Sequence, residues 1–176
     1  MSEPTPLLAP IKPALVAPRV WTDAGFAADR WRLIGDDEAL PQGAPVIVSL
    51  PRWRRERATL VEVGRRVGLG VQPADHIELA TDDIGALALI VLHFPKFTDG
   101  RAYSTARQLR DAGFQGDVRA TGDVLLDQLP LMLRSGFSSF EIANAATIAA
   151  LEQGARPDLL PSYQQVGSKR HITSAT

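Results

Sequence analysis

Leu89-Ile90-Val91-Leu92-His93-Phe94 is the strongest strand signal in the chain, and the order of elements after it fixes the fold class. Six residues of this apolar, β-branched kind suit a strand buried on both faces, the kind found in parallel sheets. Downstream, Arg101 to Ala112 reads as a helix stopped by Gly113, and Asp117 to Thr121 as a strand. Val124 to Ser135 reads as a helix stopped by Gly136, Ser139 to Ile142 as a strand, and Ala145 to Gln153 as a helix ending at Gly154. Two segments echo each other: Leu109-Arg110-Asp111-Ala112-Gly113-Phe114 and Met132-Leu133-Arg134-Ser135-Gly136-Phe137. In each, glycine takes the left-handed cap position and the next phenylalanine packs back on the helix it has just left. Repeated βα units predict an α/β fold with a mainly parallel sheet. Both an open doubly wound sheet and a partial barrel of the triosephosphate-isomerase kind fit this spacing.

Upstream, Val46-Ile47-Val48-Ser49-Leu50 lies between Pro45 and Pro51 and reads as a central strand. A helix is expected from Arg54 to about Val67, closed by Gly68. Its charged residues leave Ala58, Leu60, Val61 and Val67 to face inward. A strand is expected near His76 to Ala80 and a short helical turn from Thr81 to Ala86. Val20 to Ile34 suggests two strand-like pieces around Asp23 to Gly25. Residues 1–19, broken by Pro4, Pro6, Pro10, Pro13 and Pro18, read as a flexible proline-rich tail, and 155–176 as a loose C-terminal tail. Between them, 20–154 is expected to form a single α/β domain.

Composition narrows the chemistry. Nineteen basic residues against twenty acidic ones give a net charge of -1, so no global field draws the chain to nucleic acid or to an anionic membrane. With neither a signal-like nor a membrane-spanning apolar run, the expectation is a cytoplasmic protein. The absence of cysteine excludes thiol redox catalysis, cysteine-ligated zinc and iron-sulfur clusters held by this chain alone. Gly64, Gly68 and Gly70 read as the end of a helix and not the opening of one, so they make no dinucleotide fingerprint. His76 and Glu78 share a face of their strand, but without a third ligand no metal is expected. The run Arg52-Trp53-Arg54-Arg55-Glu56-Arg57 reads as a solvated helix face.

Ligands of parallel α/β folds bind beyond the carboxyl ends of the strands. There the sequence places Lys96, Asp99, Arg101, Tyr103 and Ser104 after the strongest strand, and Asp123, Asp127 and Gln128 after the next. Lys96 and Arg101 beside a helix N-terminus suit a small oxyanion. Asp99 and Asp123 equally suit helix N-caps, and Tyr103 equally suits packing with its hydroxyl at the rim. As acid or base, the candidates are Tyr103, His93 and Asp99.

Phe94-Pro95-Lys96-Phe97-Thr98-Asp99-Gly100-Arg101, Tyr103-Ser104, Leu109-Arg110, Arg119-Ala120, Gly122-Asp123-Val124-Leu125, Asp127-Gln128 and Gly136-Phe137 together resemble an uncharacterised bacterial family, domain of unknown function 934. That family is described as a candidate oxidoreductase involved in sulfite reduction, and its members tend to be encoded beside assimilatory sulfite reductase genes. The resemblance runs from about Phe26 to Ile142. Members often carry glycine where this chain has Ala102 and cysteine where it has Ser135. It implies an accessory role in sulfur assimilation, with sulfite reductase or a related enzyme as partner. Lys96, Asp99, Arg101, Tyr103, Ser104, Arg119, Asp123 and Asp127 would then hold a small oxyanion such as sulfite or sulfate, or dock the partner. The alternatives are a small oxidoreductase or other enzyme with a cofactor the residues do not specify, and an interaction module that binds the reductase or a second copy of itself.

Overall fold

The computed structural model describes residues 15–62, 66–75, 81–96 and 99–157. Eight strands form one sheet in the order β2-β1-β8-β7-β6-β5-β4-β3, curled into a half-barrel. The strands are β1 Leu15–Thr22, β2 Gly25–Ala27, β3 Arg32–Leu33, β4 Val46–Ser49, β5 Val67–Val71, β6 Leu87–Phe94, β7 Asp117–Gly122 and β8 Ser139–Asn144. The helices are α1 Leu50–Glu62, α2 Thr81–Ala86, α3 Arg101–Asp111, α4 Leu129–Arg134 and α5 Ala145–Glu152, with a 3-10 turn at Leu126–Gln128 before α4.

From β3 to β8 every pairing is parallel and each strand lies beside its successor in sequence. That order contains no reversal of direction across the sheet, and so none of the switch points that define a doubly wound fold. Right-handed crossovers between successive neighbours put the helices on one face, and the core lies beneath them. Val46, Val48, Leu69, Ile90, Leu92, Phe94, Val118, Ala120, Phe140 and Ile142 pack with Leu60 of α1, Ala106 and Leu109 of α3, Met132 of α4 and Ile148 of α5. Alternate strand residues point to the other, inner face, where Ile47, Leu89 and Val91 form a small cluster under Trp31. Each fully buried leucine, isoleucine or phenylalanine contributes roughly 1.5–3 kcal/mol.

Both echoing segments close their helices as expected. Gly113 and Gly136 have φ of +90° and +102°. Phe114 N donates to Leu109 O at 3.0 Å and Phe137 N to Met132 O at 3.1 Å, the six-to-one bond of a Schellman cap. Both phenylalanines are buried.

Several expectations need correction. Val67–Val71 is strand β5 and not a helix end, and α1, Leu50–Glu62, begins at Leu50, before Pro51. β4 lies one place from the sheet edge; β6 and β7 occupy the middle. The helix expected from Val124 is a 3-10 turn and then a short α4. Five residues expected in the tail, Leu15 to Arg19, belong to β1, which pairs antiparallel with β8 at Leu15↔Asn144 and Arg19↔Ile142. Pro18 falls in the irregularity between those pairs, where a missing N–H breaks no ladder bond. The strand expected near His76 to Ala80 lies outside the described residues.

Candidate functional site

β6, β7 and β8 end side by side, with Phe94 paired to Gly122, and the amide of Asp123 donates to the carbonyl of Phe94 at 2.8 Å. Gly122 has φ of +92°, and a Cβ there would come within 2.2 Å of the Phe94 carbonyl and 2.8 Å of His93 Cε1. Only glycine lets the chain turn this tightly against the imidazole. Above these ends lies a pocket of about 450 Å³ whose polar lining is His93, Thr121, Asp123, Glu141 and Asn144. Leu15 and Pro18 of β1 form its apolar wall, brought there by the antiparallel pairing with β8. Asn144 has a structural task as well: it caps α5 by accepting from Thr147 N at 2.9 Å.

The other candidates are distributed differently. Arg101 donates to both carboxylate oxygens of Asp99, from Nη2 at 2.6 Å and from Nε at 3.0 Å, and its Nη1 donates to Pro73 O at 3.0 Å. The Arg101 guanidinium beside Asp99, helped by the Arg101 backbone N–H, holds the Asp99 carboxyl down at about 2. Arg101 lines a narrow cleft at the ends of β5 and β6, with Gln72, Asp75 and Thr105; His93 borders both this cleft and the larger pocket. Lys96, Ser104 and Asp127 are exposed. Phe97 and Thr98 lie outside the described residues, as do His76 and Glu78. Of the two cavities described here, Asp123 lines the larger pocket and Arg101 the narrow cleft.

Neither Asp99 nor Asp123 stands at an N-cap position, although Asp99 Oδ1 accepts from the first backbone N–H of α3, that of Arg101, at 3.1 Å. The N-cap of α3 is Gly100, and the 3-10 turn and α4 start from Leu125 and Gln128. Tyr103 is half-buried on the helix side of the sheet, edge-on to Phe94 with ring centroids 5.3 Å apart and to Phe137 at 6.3 Å. Burial, with a smaller push from the Asp127 charge, raises its phenol above the ordinary value. Arg52 and Trp53, expected on a solvated face, are buried: Arg52 donates to the carbonyl of Gly35 and pairs with Glu56 at 3.0 Å.

Arg119 lies on the inner face toward the amino end of β7, 4% exposed. It donates to Asp29 Oδ2 at 2.9 Å and to Ser139 Oγ at 3.2 Å, with Asp117 at 3.8 Å. Register separates it from the carboxyl-end loops: it pairs with Val91, two residues before His93. Sequence reasoning missed Thr121 and Glu141. The alternation of β7 and β8 puts both on the inner face beside Asp123, a signal present in the sequence once those strands are drawn.

Among the described residues no group of three histidine, aspartate or glutamate side chains could hold a metal ion, and no helix is long and apolar enough to cross a membrane. No curated protein matches the chain significantly. A family described as a bacterial protein of unknown function (domain of unknown function 934) matches residues 68–172, from β5 through all the later strands and on into the C-terminal stretch. The chain belongs to that family.

Proposed function

We propose that the protein is an accessory factor of assimilatory sulfite reduction, and that it docks a basic side chain of its partner enzyme in the pocket at the carboxyl ends of β6, β7 and β8. The observation that carries this reading is the lining of that pocket: the Glu141 carboxylate beside His93, Thr121, Asn144 and Asp123, which has a partner of its own, with no lysine or arginine among the described lining. Such a site attracts a lysine or arginine and repels a free oxyanion. Arg101, the cation best suited to sulfite by sequence, has its guanidinium engaged by Asp99 and Pro73. The link to sulfite reduction rests on the family resemblance.

Calorimetry between the purified chain and an assimilatory sulfite reductase tests this. Binding should weaken with added salt, and at least tenfold in the Asp123→Asn, Glu141→Gln double variant. Absence of a complex, or a double variant that binds like the wild type, would sink the docking reading. Saturable sulfite binding abolished by Arg101→Ala would restore an anion site in its place.

A small enzyme in its own right is the second reading, favoured by the place of His93 between the two cavities. An imidazole there is placed to move a proton for a ligand in either. Flavin absorbance in the purified protein, or a turnover lost in His93→Gln while reductase binding persists, would favour it.

A further inference from the structure

A second pocket, of about 300 Å³, opens on the same inner face at the amino ends of β7 and β8, away from the site above. Three arginines line it. Arg119 is its buried floor. Arg66 is exposed and held over the Trp31 ring, 5.4 Å from guanidinium carbon to ring centroid, and Arg30 is exposed beside it. Two carboxylates, Asp29 and Asp117, oppose these three cations, which leaves the pocket one positive charge in excess.

We propose that this pocket binds the carboxylate of a small organic acid between the exposed guanidinium groups of Arg30 and Arg66, over a floor in which Arg119 is fixed by Asp29, Ser139 and Asp117. The pocket already holds one carboxylate against a guanidinium, since Asp29, carried on the loop between β2 and β3, accepts through one oxygen from Arg119 Nη1 at 2.9 Å. Guanidinium groups suit that planar anion because two N–H donors match its two oxygens. Size decides between a bare oxyanion and an organic acid. The volume reaches the lower end of the roughly 300–1,000 Å³ usual for small-molecule sites, and Val20, Ala27 and Pro45 give it an apolar side for an aliphatic body. Ser139 and Asp117 hold Arg119 in place: Ser139 Oγ donates to Asp117 Oδ2 at 2.7 Å while accepting from Arg119 Nε. The buried cation therefore does not need the ligand to be stable, so the pocket can empty and refill.

Titrating the full-length chain with sodium butyrate, and separately with sodium sulfate, while monitoring the Trp31 indole resonance by NMR, tests the proposal. Butyrate should give a saturable shift in the millimolar range, and sulfate should bind at least tenfold more weakly. The Arg30→Ala, Arg66→Ala double variant, both positions being exposed, should lose at least tenfold in butyrate affinity with its urea unfolding midpoint unchanged. No saturable shift with butyrate, sulfate binding equal to butyrate, or a double variant that binds like the wild type would each overturn it. None of these outcomes bears on reductase docking, which uses the opposite end of the sheet.

Discussion

The indole of Trp31 lies against Gly68, so close that a Cβ on residue 68 would come within 3.2 Å of Trp31 Cζ3 and 3.1 Å of Ile47 Cγ1. The lead-in between β2 and β4 thereby seals part of the inner face, and the glycine in β5 is the space the ring needs. Gly68→Val adds three carbons to that space and should destabilise the fold by about 1–3 kcal/mol, read as a lower urea midpoint. In combination with Trp31→Ala the two losses should fall short of additive, because removing the ring relieves the crowding. Strict additivity would mean that the two residues do not meet.

Gly122 ties the carboxyl-end pocket to backbone geometry. At φ of +92° any other residue suffers the left-handed penalty, and a Cβ would also collide with the Phe94 carbonyl and the His93 ring. Gly122→Ala should cost at least ~1–2 kcal/mol from the dihedral alone and shift the His93 ring resonances. Unchanged His93 signals in a destabilised variant would show that the turn does not position the imidazole.

Much of the fold is legible in the sequence. The β6 run and the two Gly-Phe caps are local signals, each readable from a few neighbouring residues, and they place α3, β7, β8 and α5 closely. β5 is hidden because its glycines mimic a helix stop; they stand in a strand because Trp31 and Ile47 occupy the inner face, which is a tertiary fact. β1 is masked by Pro18, tolerated only at an irregularity that depends on its pairing with β8. At the site, His93 and Asp123 are visible as strand-end residues. The apolar wall from Leu15 and the pairing of Asp99 with Arg101 depend on chain geometry beyond the reach of spacing.

Arg110 holds the two echoing units together. Its guanidinium donates to Gly136 O at 2.9 Å, Phe114 O at 2.7 Å and Gly116 O at 2.8 Å, which ties the end of α3 to the caps of both helices. Burial pulls its pKa down, and the Asp117 charge partly offsets this. Arg110→Ala should cost about 1.5–3 kcal/mol, the scale of charge-assisted hydrogen bonds. Arg107→Ala, at an exposed position on the same helix, should stay within about 0.5 kcal/mol. Equal effects in chemical denaturation would refute the role of the carbonyl cluster.

The Asp99–Arg101 pair has a titration signature. The Asp99 carboxyl, held at about 2 first by the Arg101 side chain and then by its backbone N–H, lies below the unfolded value of about 3.9. A depressed carboxyl favours the folded state while it is ionised. That contribution is complete above the unfolded value and fades as pH falls from about 4 through about 2. Arg101 is exposed and solvent screens the pair from its side, so its share of stability is small and shrinks with salt. Carboxyl-carbon NMR should place the Asp99 midpoint near 2, and Arg101→Gln should return it most of the way toward the ordinary range, the backbone donor accounting for the remainder. If Asp99 keeps its depressed midpoint without the guanidinium, the side chain of Arg101 is not engaged by Asp99, and that cation becomes available to an anion in the cleft it lines.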